Sequence, residues 1–123
     1  MADIDTALRD AMSIDGAIGV ALVDVSSGLT LGVAGDPDRD MSIAAAGNTD
    51  VVRAEVRTLQ MIGIEDGIED ILMTLGTEYH LLRPLRSTRG GDSLFLYVAL
   101  VKSRANLGLA RHQLRRIEAS LDI

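Results

Sequence analysis

Two histidines, one acidic run, one glycine pair and one loop arginine are the places in this chain where residue type and spacing could support chemistry. A histidine acting as base or metal ligand needs an orienting carboxylate or a second ligand close by. His80 lies two residues beyond Glu78 on a strand-like stretch, and His112 falls on the outer side of a C-terminal helix, so both are expected as solvated or hydrogen-bonded side chains. The run Glu65-Asp66-Gly67-Ile68-Glu69-Asp70 offers oxygen ligands but lacks the alternating positions and distal bidentate glutamate of a calcium loop. It reads as the solvated start of a strand, its charges discouraging pairing with wrong partners. Gly16-Ala17-Ile18-Gly19 places two glycines in a strand, where close packing by a helix accounts for them better than phosphate binding does. Nothing matches the Gly-x-x-x-x-Gly-Lys-Ser/Thr loop whose amides cradle phosphate, so the chain is not expected to hydrolyse nucleotide itself. Arg89, in the turn-rich segment 87–92, could be imagined as an arginine offered to phosphoryl transfer; a flexible hairpin loop is the simpler reading. No catalytic residue, metal or cofactor is expected, and the chain reads as non-enzymatic.

Composition narrows the classes further. At 123 residues the chain is expected to be one domain, residues 1–123, with a single core. Neither a long apolar run nor a basic leader with an apolar core stands at its N-terminus, and it has no cysteine, which together point to a soluble, cytoplasmic protein without a membrane-inserted segment. A net charge of −6 argues against nucleic acid as a partner, because affinity for phosphate backbones comes from lysine and arginine. The basic residues gather late, at Arg83, Arg86, Arg89, Lys102, Arg104, Arg111, Arg115 and Arg116, an asymmetry suited to steering a charged partner. Tyr79, Phe95 and Tyr97 are the only aromatics, so base stacking is poorly supplied and the core must be aliphatic.

The elements that position these residues follow from periodicity. Residues 3–12 carry Ile4, Leu8 and Ala11 or Met12 on one helical face, with Asp3 and Asp5 at the helix start. Residues 16–25 are apolar on both alternating faces, as a strand covered on each side must be. A Ser26-Ser27-Gly28 turn leads into residues 29–34, which complete a hairpin with the second strand nearer an edge. The polar connection 35–40 precedes a long helix, residues 41–62, with Ser42 as its cap and Gly63 at its end. Along it Ala45, Val52, Val56 and Leu59 form a stripe expected to face the sheet, and Ala44, Asn48, Val51 and Glu55 a neighbouring stripe. Residues 67–75 and 79–86 read as strands, the first near an edge because of its polar face, the second limited by Pro84 to an edge or to having the proline at its end. Residues 94–101 are apolar throughout, a second central strand, and residues 105–121 form an amphipathic helix capped by Ser103. Two strands buried on both faces require helices on both sides of one antiparallel sheet, the terminal helices on one face and the middle helix on the other.

Ala44, Ala45, Ala46 and Gly47 have too little side chain to fill a core, and a glycine inside a helix costs about 1 kcal/mol against alanine. Such bare backbone suits close approach by a second helix. Arginine in place of Ala45 is expected to break that contact.

The order helix, hairpin, helix, three strands, helix, with Gly16-Ala-Ile-Gly-Val-Ala-Leu-Val-Asp24 at the first strand and Ala44-Ala-Ala-Gly-Asn-Thr49 entering the middle helix, resembles the roadblock/dynein light chain family, in particular its stand-alone actinobacterial members. The resemblance covers essentially the whole chain. It implies a three-layer α-β-α sandwich of the roadblock/profilin type around a five-stranded antiparallel sheet. It also implies a homodimer in which the middle helices pair and the strand after them meets its symmetry mate. On this chain the helix contact would fall on Ala44, Ala45, Asn48, Val51, Val52 and Glu55, and the strand contact on Glu69, Ile71 and Met73. As partner the resemblance implies a small Ras-like GTPase that the dimer binds and regulates. The alternative is a scaffold that assembles peptides or subunits without affecting nucleotide turnover. A small-molecule site between sheet and helices is a third reading, disfavoured because the sequence shows no convergent polar groups.

Overall fold

The computed structural model describes residues 2–86 and 94–121. Strand β5 (Leu94–Val101) is the axis of the fold. It lies at the centre of a five-stranded antiparallel sheet, with β1 (Ala17–Asp24) and β2 (Thr30–Gly35) on one side, and β4 (Glu78–Pro84) and β3 (Ile71–Thr74) on the other. Its run of apolar side chains is buried on both faces. Leu96, Val98 and Leu100 meet Val20 and Leu22 of β1, Leu81 of β4 and the apolar sides of helices α1 (Ile4–Met12) and α3 (Leu107–Ser120). Phe95, Tyr97 and Ala99 point the other way, towards Ala21, Val23, Leu82 and the side of helix α2 (Met41–Met61) that carries Ala45 and Val52. The expected order of elements and the split of helices between the two faces are both present.

Helix ends follow from their caps. Asp3 caps α1 by accepting from the Thr6 amide at 2.9 Å. Asp40, rather than Ser42, caps α2, its Oδ1 accepting from the amides of Ser42 and Ile43 at 3.0 and 3.1 Å. A carboxylate at this position also faces the positive end of the helix dipole, which a serine hydroxyl serves less well. At the other end Gly63, at φ +77°, lets its amide donate to Gln60 and the Ile64 amide to Leu59, closing the helix with a left-handed glycine. Helix α3 begins later than expected: Asn106, not Ser103, accepts from the Leu109 amide at 3.0 Å.

One strand assignment changes. The stretch expected to run as a strand from residue 67 is one only over Ile71–Thr74. Its register pairs Ile71 with Leu82, which would set Glu69 opposite Pro84, a residue with no amide hydrogen to give. Ladder pairing stops there, and Asp70 is instead held by Arg111 of α3 at 2.8 Å. Strand β4 lies inside the sheet between β5 and β3, with Pro84 at its last position, the strand-end alternative that its missing amide hydrogen allows. The loop expected at 87–92, with Arg89, lies outside the described residues.

The hairpin β1–β2 is close-packed at its glycines. Gly32 lies under α1, where a Cβ would come 2.7 Å from Leu8 Cδ1. Gly35, at φ +110°, lies so near β1 that a Cβ would come 2.6 Å from Gly19 Cα. Gly35→Ala is therefore expected to destabilise the fold by about 2 kcal/mol or more, through both the left-handed backbone and the clash. Gly19→Ala, whose new methyl would meet only ordinary contacts at 3.6 Å, should change stability far less. Urea unfolding of the two variants checks the contrast.

Candidate functional site

Helix α2 covers only part of its face of the sheet. Met41 packs over Gly19, Thr49 stands over Gly28 in the β1–β2 turn, and the Arg53 guanidinium donates to the carbonyls of Val25 and Ser26. These contacts lay the helix along β1 and over the β1–β2 turn, while Leu31 and Val33 of β2, on the same face, stay 49% and 50% exposed. Its buried residues are Met41, Ala45, Thr49 and Val52. Thr49 was not foreseen in that stripe; its hydroxyl is satisfied within the helix, donating to the Ala45 carbonyl at 2.7 Å.

The nine residues expected at a partner contact divide accordingly. Ala45 and Val52 are turned onto their own sheet, 0% and 2% exposed, and have no surface to offer. Ala44, Asn48, Val51 and Glu55 lie on the flank of α2 away from Arg53, as 100° per residue requires. Ala44 and Asn48 are half-buried there, while Val51 and Glu55 are exposed. Gly47 stands close by with nothing within 4 Å of where a Cβ would be. On the sheet, Ile71 and Met73 pair with Leu82 and His80, share their face on the α2 side, and are half-buried. Glu69 is exposed and precedes the strand. Among the described residues strand β3 pairs with β4 alone, so its outer edge is open there.

A polar cluster joins the start of α2 to this half of the sheet. Arg39 holds Glu78 with both nitrogens, Nη1 to Oε1 and Nη2 to Oε2, each at 2.8 Å. His80, on the same face of β4, lies with Nε2 2.8 Å from the same Oε1 and Nδ1 3.3 Å from the Tyr97 hydroxyl. Bonding to Arg39 and then to His80 pulls the Glu78 carboxyl down from 4.5 to about 2, and burial pushes the Tyr97 phenol up. A carboxylate so stabilised in its ionised form is a poor proton acceptor near neutral pH, so Glu78 serves here as an anchor. Sequence reasoning had His80 hydrogen-bonded beside Glu78 but missed Arg39, which comes from a loop 39 residues away. The alternating Glu78-x-His80 spacing was the one local signal. His112 is exposed on α3, as expected.

The late basic residues are partly committed inside the fold. Arg83 donates twice to Glu118, at 2.9 and 2.7 Å, and Arg111 twice to Asp70, at 2.8 and 3.1 Å. Among the described residues no group of three His, Asp or Glu side chains could hold a metal ion, and no helix is long and apolar enough to cross a membrane.

The arrangement is a three-layer sandwich with a small-residue flank on α2 and, among the described residues, an unpaired strand edge at β3. No family model matches the sequence, and no curated relative does. Solved structures do. A Roadblock/LC7 domain from Streptomyces avermitilis superposes with a TM-score of 0.79 at 16% identity, over 97% of this chain and 94% of that one. MglB of Myxococcus xanthus gives 0.74 at 21% identity, over 93% and 84%. The gliding protein MglB of Thermus thermophilus gives 0.68 at 16%, over 94% and 87%. The chain has the roadblock/LC7 fold.

Because the Glu78 pKa is lower in the folded chain than in the unfolded one, its contribution to stability is fully present above 4.5 and is lost as pH falls towards 2. Glu78→Gln is expected to flatten the acid limb of stability across that window, and Arg39→Gln to do the same. Unfolding midpoints measured from pH 6 to 2 check this.

Proposed function

We propose that this protein is a cytoplasmic, single-domain, non-enzymatic homodimer that binds and regulates a small Ras-like GTPase. The observation that carries the reading is the outward flank of α2, where Ala44, Asn48, Val51 and Glu55 adjoin the bare backbone of Gly47. Such a flank suits close approach by a second copy of α2, and Ile71 and Met73 of the edge strand lie on the same side of the sheet. The sequence resemblance to roadblock proteins supplies the GTPase, and the structural likeness to MglB and to the Streptomyces domain supports the fold on which that resemblance rests. A structural scaffold that dimerises through the same residues and leaves nucleotide turnover unchanged is the second reading, favoured by the dearth of catalytic groups around this flank.

Solution mass by light scattering, alone and with a small Ras-like GTPase from the same organism, separates the readings. The expected result is a dimer that forms a larger complex with the GTP-loaded partner and not with the GDP-loaded one. A dimer indifferent to nucleotide supports the scaffold, and a monomer overturns both. Since Ala45 is enclosed by its own sheet, Ala44→Arg and Val51→Arg are the informative variants: each should yield a folded monomer, with unchanged far-ultraviolet circular dichroism. Gly47→Ala should raise the stability of such a monomer by about 1 kcal/mol while weakening self-association in the otherwise native chain.

A further inference from the structure

The stripe by which α2 faces the sheet does not end where its burial ends. Val56 follows Val52 by one turn and Thr49 by two, so it points towards the sheet, yet it is 42% exposed. Beneath it is a groove of about 330 Å³ rather than a strand. Val52 and Val56 form its helical wall, and Val25, Pro84, Leu85 and Leu94 form the wall opposite. Three polar side chains, Arg53, Arg57 and Gln60, rim the groove. Arg53 is fixed in place by the carbonyls it binds, and the Asp50 carboxylate lies 4.0 Å from its Nη1, too far for a hydrogen bond. Arg57 follows one turn later and is exposed. The groove is on the flank of α2 opposite Ala44, Asn48, Val51 and Glu55, so it is separate from the contact proposed between copies.

We propose that this groove binds a small amphipathic carboxylate, its aliphatic chain lying between Val56 and Leu85 and its carboxylate on the guanidinium groups of Arg53 and Arg57. The volume is at the small end for a ligand pocket and suits a chain of about eight carbons. Two arginines standing together over an apolar floor, in a chain of net charge −6, select an anionic headgroup. Apolar ligand surface would complete the packing that α2 leaves unfinished beyond Val52.

The test is a methyl and amide NMR titration of the intact protein with octanoate, 1-octanol and octylammonium. Octanoate is expected to shift the methyl signals of Val52, Val56, Leu85 and Leu94. Octanol should bind at least about tenfold more weakly, for want of the charge-assisted bonds, and octylammonium more weakly still. Arg57→Glu, at an exposed position where folding is not at stake, should abolish the preference for octanoate over octanol, and Val56→Glu should remove binding of both. Equal binding of octanol and octanoate, shifts confined to other parts of the chain, or no shift at millimolar octanoate would each overturn the proposal. So would a fall in solution mass on Val56→Glu, which would show that a second copy of the chain fills the groove.

Discussion

Strand β5 has no face turned to water, and this burial is the constraint on which the remaining architecture depends. From Phe95 to Leu100 each side chain is at most 1% exposed, so apolar cover is required on both sides of the sheet. Helices α1 and α3 supply it over Leu96, Val98 and Leu100. Cover over Phe95, Tyr97 and Ala99 falls to α2, to the neighbouring strands and to the Arg39–Glu78–His80 cluster that closes the far side of Tyr97. A central strand of this kind fixes the number of layers before any detail of the helices is settled.

The two faces are not covered equally. Two helices share the first, while a single helix lies along β1 on the second. Helix α2 is the longest of the three, but its buried stripe is narrow, running only from Met41 to Val52. What remains of that face is used in two directions. On one flank stand small and polar residues. On the other, Val56 and the two arginines beside it overhang a groove that the described residues leave open.

Ion pairs then fix elements that apolar packing leaves loose. Arg39 ties the entry of α2 to β4, Arg83 ties β4 to α3, and Arg111 ties α3 to the residue before β3. In each pair the arginine binds through two hydrogen bonds, a geometry that sets orientation as well as contact. Residues that look in sequence like a basic cluster are thus partly spent inside the molecule. The basic surface left on α3, including Arg115 and Arg116, is smaller than the sequence suggests.

Local pattern alone settled which segments are helices and strands, which two strands are buried on both faces, and the division of the helices between them. These depend on periodicity and on the apolar content of single segments, such as the unbroken run of β5 and the alternation in residues 29–34. The ends of elements were less legible, because a cap is a competition among nearby side chains: Asp40 outdid Ser42, and Asn106 outdid Ser103. The limit of β3 was invisible, since it depends on Pro84 in another strand and on Arg111 in another helix. For the candidate site, the sequence marked the small-residue helix but could not say which of its neighbours face inward. Ala44 and Ala45 differ by one position and by about 100° around the helix axis, and only the placement of α2 over Gly19 and Gly28 turned Ala45 to the sheet and left Ala44 outside. The Arg39–Glu78 pair and the groove beneath Val56 are likewise products of packing, because each is built from segments distant in sequence that only the closed fold brings together.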